Sequence, residues 1–218
     1  MKAPDAAEQA VYLVDDDESL RRAVTRMLNS AGHEVRSYAS AAEFLLAWEG
    51  QQRGCLLLDV RMPGGPSGLE LQAGLARRGL GGALPVIFLT GHGDIPMSVR
   101  AIKAGAFDFL TKPVHRETLL GAVDSALALE EETWRKAEHH RMLKARLAML
   151  TLCELRVYRR VVEGQPNKQI AAELGSAERT VKAHRARVMI KMEAQSLAEL
   201  VHMADELGED FPTQDPGV

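Results

Sequence analysis

Two runs constrain this chain more than anything else in it: Leu56-Leu57-Leu58 and Val86-Ile87-Phe88-Leu89 are apolar at every position. A strand with one wet face alternates apolar and polar residues, so an unbroken apolar strand needs cover on both faces, as in a parallel sheet with helices outside it. Over residues 10–112, short β-rich runs (AVYLV, HEVRSY, GCLLLDV, LPVIFLT, AFDFL) alternate with amphipathic stretches (ESLRRAVTRMLNSAG, SAAEFLLAWEG, SGLELQAGLARRG, DIPMSVRAIKAG). The order β-α-β-α-β-α-β-α-β predicts a doubly wound α/β domain with a five-stranded parallel sheet. Ser40 with Glu43 and Ser67 with Glu70 mark helix starts, where hydroxyl and carboxylate satisfy free backbone N–H groups reciprocally.

Neither Gly nor Pro occurs from Ala122 to Val162, and Glu131 and Glu132 stand four residues before Arg135 and Lys136, the favourable order for helical ion pairs. The last α/β helix is therefore expected to continue as a stalk to about residue 148; fraying after Leu129 into a charged linker is the alternative. Residues 150–208 carry no strand signal and read as a compact four-helix module. Thr151 with Glu154, Asn167 after Pro166, Ser176, and Ser196 with Glu199 are its expected caps, with Gly175 ending the second helix. The expected division is an N-terminal tail (1–9), an α/β domain (10–128), a helical linker (129–148), a helical domain (149–208) and a disordered tail (209–218).

The net charge of -3 is unevenly spread. Residues 1–140 hold 15 Lys and Arg against 19 Asp and Glu, whereas residues 141–208 hold 12 against 8. A basic late segment is expected where one module meets a polyanion and the other does not, although a solvated basic face looks the same from charge alone. Two cysteines far apart, Cys55 and Cys153, exclude a disulfide-rich or zinc-ribbon scaffold, and the start MKAPDAAEQA has no basic-then-apolar leader. A reduced cytoplasmic protein with no membrane partner is the expectation.

In an open α/β sheet, ligands bind beyond the carboxyl ends of the strands. The residues there are Asp15, Asp16 and Asp17 after the first strand, Asp59 after the third, Thr90 after the fourth and Lys112 after the fifth. Converging carboxylates repel one another unless a cation neutralises them, and an oxygen-only donor set suits Mg²⁺. Asp59 is best placed as a nucleophile toward phosphorus, with Lys112 and Thr90 placed to stabilise phosphoryl oxygens.

Those residues sit in VYLVDDDE, CLLLDVRMPG, VIFLTGHGD and AGAFDFLTKP, which resemble the receiver domain of bacterial two-component response regulators, with strand order 2-1-3-4-5. The resemblance implies that Asp59 accepts phosphate from a sensor histidine kinase. It implies that Asp15 and Asp16 hold Mg²⁺ together with Asp59 and the Arg61 backbone carbonyl, and that Thr90 and Lys112 contact the phosphoryl group. By the same resemblance Phe109 is an aromatic switch coupled to Thr90, against a reading as ordinary packing, and Lys112-Pro113 is a cis peptide. Asp17 reads better as a cap or dipole partner of the first helix. The loop MPGGPSG carries one residue more than the family's usual MPGMSG, so closure over the pocket is expected to differ.

Within SAERTVKAHRARVMIKM, Val181, Val188 and Met192 share one helical face, while Arg179, Lys182, Ala183 and Ala186 lie opposite. Small residues between cations allow close approach to base edges, and cations at the margins reach phosphates. The segment Leu150–Gly208 resembles the LuxR-type helix-turn-helix of the NarL/FixJ class, in its FixJ- and StyR-like branch. That implies a scaffold helix at 168–174, a recognition helix at 177–191 and a fourth helix at 197–207 through which such domains often dimerise. The candidate DNA-contacting residues are Arg179, Thr180, Lys182, Ala183, Arg185, Ala186, Arg187 and Lys191. His184 reads as a packing residue with a phosphate contact, not a metal ligand. Cys153 and Leu155 depart from the family pattern, where arginine and a charged residue are common.

The chain is thus expected to be a transcription factor that dimerises on phosphorylation and binds double-stranded promoter DNA, with RNA polymerase as a further candidate partner. A phosphohydrolase on a similar sheet commonly needs a second carboxylate two residues after the nucleophile, and Arg61 occupies that position, which argues against an enzyme. An RNA or protein target for the helical module is the third reading.

Overall fold

The computed structural model describes residues 9–48, 50, 52–62, 65–77, 84–91 and 95–211. The chain divides into two compact units, Met1–Trp134 and Arg135–Val218. In the first, β1 (Ala10–Val14), β2 (Val35–Tyr38), β3 (Gly54–Asp59), β4 (Val86–Thr90) and β5 (Asp108–Thr111) form one parallel sheet in the order β2-β1-β3-β4-β5. Between the strands run α1 (Glu18–Asn29), α2 (Ala41–Ala47), α3 (Gly68–Arg77) and α4 (Ile95–Lys103), and α5 (Arg116–Ala148) follows β5.

The two apolar runs behave as their pattern requires. Successive residues of β3 point to opposite faces, so Leu56 and Leu58 enter one core with Tyr12, Phe44, Leu71 and Phe88, while Leu57 enters a second with Leu13, Leu28, Ile87, Leu119 and Val123. Both cores are closed to solvent, so truncating Leu57 to Ala would cost roughly 3–4 kcal/mol. Gly54 is fixed by geometry: its φ is +131° and a Cβ would fall 1.8 Å from the Ala10 carbonyl oxygen. Beside the first core, Tyr12, Tyr38, Phe44 and Trp48 pack edge to face or tilted, with ring centroids 5.4–6.2 Å apart.

Of the two readings of the segment after Ala122, the continuous helix is observed: α5 runs unbroken for 33 residues. Its last part is more than a linker. Leu143, within the segment expected to link, is fully buried in the core of the second unit with Val157, Tyr158, Val181 and Leu200.

That unit contains α6 (Leu152–Val162), α7 (Asn167–Glu173), α8 (Glu178–Met192) and α9 (Leu197–Leu207), then a 3₁₀ turn, Gly208–Asp210. Thr151 and Glu154 form the full reciprocal capping box, and Ser196 caps α9. Two expected caps are displaced by one residue. Pro166 occupies the cap position of α7, and the Asn167 side chain instead accepts from Arg185 at 3.3 Å; Ala177, not Ser176, caps α8. Gly175, at φ +59°, makes the turn between α7 and α8 that a Cβ would strain. The expected tail also begins later than its composition suggests, because Phe211 packs on Tyr158 with ring centroids 4.8 Å apart. Residues 1–8 and 212–218 lie outside the described residues, as do Pro63, Gly64 and His92–Asp94 of the expected pocket loops. Among the described residues no helix is long and apolar enough to cross a membrane.

Candidate functional site

The parallel sheet delivers its polar residues to one edge. β1 ends at Val14, and the next residue, Asp15, is fully buried, its N–H bonded to the Tyr38 carbonyl at 3.2 Å. Asp16 follows in solvent. Asp17 caps α1, accepting from the N–H groups of Ser19 at 2.8 Å and Leu20 at 3.1 Å, as its position before an amphipathic run suggests. Asp59 closes β3 and is nearly buried. The carboxylates of Asp15, Asp16 and Asp59 lie within 4.8 Å of one another, forming the one group of three or more metal-ligating side chains among the described residues. At an effective dielectric near 20, two charges that close repel by at least about 3 kcal/mol.

Lys112 relieves part of this. Its ammonium lies 2.5 Å from Asp15 Oδ2 and 3.2 Å from Asp59 Oδ2. The residue is held in place where β5 ends: its N–H donates to the Thr90 carbonyl at 2.6 Å, and its bond to Pro113 is cis. Burial alone would lower the Lys112 pKa, yet the two carboxylates raise it, so the ammonium stays charged. Asp59 goes the other way: burial raises its pKa, the Asp15 charge adds to that, and Lys112 with the Arg61 N–H only partly opposes it. That N–H is 3.4 Å from Asp59 Oδ1. Thr90 is buried beside the group at the end of β4, and Phe109 is half-buried with its ring centroid 6.4 Å from Phe88. An oxygen-only donor set carrying three negative charges and one ammonium fits a hard divalent cation such as Mg²⁺.

Two neighbours escaped the sequence reading. Arg21 of α1 donates to the Asp15 carbonyl at 2.6 Å, which only a fold placing the first helical turn over β1 reveals. Gly68 opens α3 so close to the end of β3 that a Cβ would fall 2.3 Å from the Asp59 carbonyl oxygen. Its signal is a glycine directly after the helix-capping Ser67.

In the second unit, α8 buries Val181, Val188 and Met192 and exposes Arg179, Thr180, Lys182, Ala183, Ala186 and Arg187. The remaining two candidate contacts are engaged within the unit. Arg185 is half-buried and bonded to Asn167 at 3.3 Å. Lys191 lies 2.6 Å from Glu154 and donates to the Met149 carbonyl at 3.1 Å, because the buried Glu154 carboxylate requires a counter-charge. Burial would raise the Glu154 pKa, but Lys191 and two Thr151 hydrogen bonds hold it at about 2. His184 is half-buried, as a packing residue should be, and Cys153 is exposed. Ile190 was not anticipated: it is 74% exposed and falls on the helical face of Arg179, Ala183 and Ala186, at spacings of eleven, seven and four residues.

Comparison with known proteins agrees with both halves. The response regulator receiver domain family matches residues 11–124, and the bacterial regulatory proteins of the luxR family match residues 148–204. Nodulation protein W of Bradyrhizobium diazoefficiens is 46% identical over 198 residues, 91% of this chain and 86% of that protein. The transcriptional regulatory protein FixJ of Azorhizobium caulinodans is 44% identical over 194 residues, 89% of this chain and 90% of its own length. The solved structure of the response regulator StyR is 44% identical, with a TM-score of 0.85 over 92% of this chain and 100% of that one. With the receiver match on the α/β unit and the luxR match on the helical unit, the chain belongs to the NarL/FixJ family of response regulators, transcription factors with a receiver domain and a LuxR-type DNA-binding domain.

Proposed function

We propose that Asp59 is the phosphoacceptor through which a sensor histidine kinase controls DNA binding by this regulator. The observation that carries this reading is the meeting of the Asp15, Asp16 and Asp59 carboxylates within 4.8 Å, with Lys112 reaching two of them. A carboxylate oxygen of Asp59 attacks the phosphorus of the kinase's phosphohistidine. The O–P bond forms as the P–N bond breaks, and the imidazole leaves with the electron pair and takes a proton from solvent. Asp15, Asp16, Asp59 and the Arg61 carbonyl would hold Mg²⁺, which when bound supplies charge neutralisation to the transferring phosphoryl group. Lys112 offers a permanent positive charge and Thr90 a hydroxyl to the new phosphoryl oxygens.

Phosphorylation adds about -1.5 to -2 charge to an already acidic pocket. Thr90 and Lys112 shift to meet it, Phe109 follows Thr90, and the surface of α4 and β5 settles into a form that pairs with a second copy. Two helix-turn-helix units held in a dimer read half-sites about one turn, roughly 10 bp, apart in double-stranded promoter DNA. Arg179, Thr180, Lys182, Ala183, Ala186 and Arg187 meet the DNA directly. Arg185 and Lys191 support the helix and reach phosphate only by exchanging their internal partners. RNA polymerase is the natural downstream partner, and the protein works in the cytoplasm.

The direct test is mass spectrometry after exposure to a small-molecule phosphodonor with Mg²⁺. One phosphoryl group on the peptide containing Asp59, absent in Asp59→Asn and after chelation of divalent cations, is the expected result; modification persisting in Asp59→Asn contradicts the assignment.

A further inference from the structure

At the end of β3 opposite to Asp59, Arg53 is a buried cation, only 6% exposed. Its guanidinium meets Glu130 on two prongs, 3.1 Å each, and Glu130 is itself 4% exposed. It also bonds Glu131 and lies 4.0 Å from the centre of a Trp134 ring. Gln9, just before β1, completes the group by donating to the Leu127 carbonyl at 3.0 Å and to Glu130 at 2.5 Å. Burial works against the Arg53 charge and the two glutamates more than compensate, so the cation is held firmly protonated.

Every α5 residue in this group lies past residue 124, where the receiver family match ends, and before residue 148, where the luxR family match begins. The group therefore joins Arg53, inside the receiver match, to residues of the connecting helix that lie outside both matched domains. Buried ion pairs add little net stability over apolar residues of equal volume, but removing one partner is costly, so their characteristic effect is to fix one arrangement against others. A planar guanidinium forked onto one carboxylate and stacked on an indole specifies both the rotation and the register of the helix that carries them.

We propose that Arg53 is a latch. It holds residues 127–134 of α5 in one helical register against the starts of β1 and β3, and the gain in DNA affinity on phosphorylation requires that register. The regulatory half rests on the phosphorylation reading above. The latch gives Glu130 and Glu131, two of three consecutive glutamates in α5, a shared counter-charge.

The test uses the full chain with Arg53→Lys, which keeps the charge but loses the fork and the stacking, and Trp134→Leu, which leaves the Arg53–Glu130 pair intact. Three quantities are read: hydrogen exchange of amides 127–140, phosphorylation of Asp59 by a small-molecule phosphodonor, and DNA affinity with and without that donor. Both variants should be phosphorylated like wild type, exchange amides 129–138 roughly tenfold faster, and lose about fivefold of the donor-dependent gain in affinity. Wild-type protection in both variants overturns the latch, and a full donor-dependent gain in both overturns its regulatory role. If wild type is phosphorylated but gains no affinity, the phosphorylation reading fails, and the exchange data alone still decide the latch.

Discussion

Lys112 stands 2.5 Å from Asp15 and 3.2 Å from Asp59, and Lys191 stands 2.6 Å from Glu154, so both units bring an ammonium to a buried carboxylate. The outcomes are opposite. Glu154 has one cation, the Thr151 backbone N–H donating to its carboxylate and no competing carboxylate, and its pKa is held at about 2. Asp59 shares its cation with Asp15, and its pKa is raised. The difference does not lie in distance: burial raises both, but at Asp59 it outweighs a shared cation and is joined by the charge of Asp15, whereas at Glu154 the cation and the Thr151 bonds overcome it. A balanced pair is a structural joint, whereas a surplus of buried negative charge is a standing demand for another cation and a source of nucleophilic oxygen. A lysine alone in a sequence does not say which kind it belongs to.

Breaking the balanced joint should have the largest effect. Lys191→Met leaves Glu154 buried and unpaired and should cost about 3–4 kcal/mol, read as a lower urea midpoint for the helical unit, with phosphorylation at Asp59 unchanged. Removing the cation from the surplus site should cost less, about 2 kcal/mol for Lys112→Met, and millimolar Mg²⁺ should return most of it, whereas Mg²⁺ should do nothing for Lys191→Met. A loss in Lys112→Met that Mg²⁺ leaves untouched would show that charge surplus is not what weakens the pocket.

The pH dependence sharpens the same contrast. Because the folded Glu154 pKa is depressed from 4.5 to about 2, its contribution is fully present above pH 4.5 and is lost as pH falls toward 2. The stability difference between wild type and Glu154→Gln, up to about 3 kcal/mol at pH 6, should therefore shrink steadily across that window in chemical denaturation. Asp59 has the reverse sign. Its raised pKa means that the folded state binds more protons than the unfolded one, so its charge destabilises the fold as pH rises. The smallest effect follows: Asp59→Asn should stabilise the receiver at neutral pH without Mg²⁺, seen as a raised Tm, and the gain should vanish as pH falls below the carboxylate range.

How much of this was legible in the sequence depended on whether the signal was local. The sheet could be read because each strand's pattern is complete within a few residues, as Leu56-Leu57-Leu58 shows. The acidic edge could be read because a parallel fold returns every strand's carboxyl end to one side, which brings Asp15, Asp59, Thr90 and Lys112 together with no further information. Cap positions at Asn167 and Ser176 missed by one residue, since the neighbouring Pro166 and Ala177 satisfy the backbone geometry without a side-chain bond. The role of Lys191 was hidden because its partner, Glu154, stands 37 residues away on another helix. Arg53 and Phe211 were silent for the same reason: an isolated arginine and a phenylalanine in a polar tail acquire meaning only from the helices that meet them.

The central claim is that charge added at Asp59 governs the DNA-binding unit. Its most direct test is the affinity of the full chain for a DNA fragment selected from genomic DNA, at one fixed salt concentration, with and without phosphodonor and Mg²⁺, in wild type and Asp59→Asn. The account expects wild type to bind a two-half-site fragment at least about tenfold more tightly with donor, and Asp59→Asn to show no gain. Equal gain in both proteins, or Asp59→Asn binding as tightly as donor-treated wild type, would contradict it.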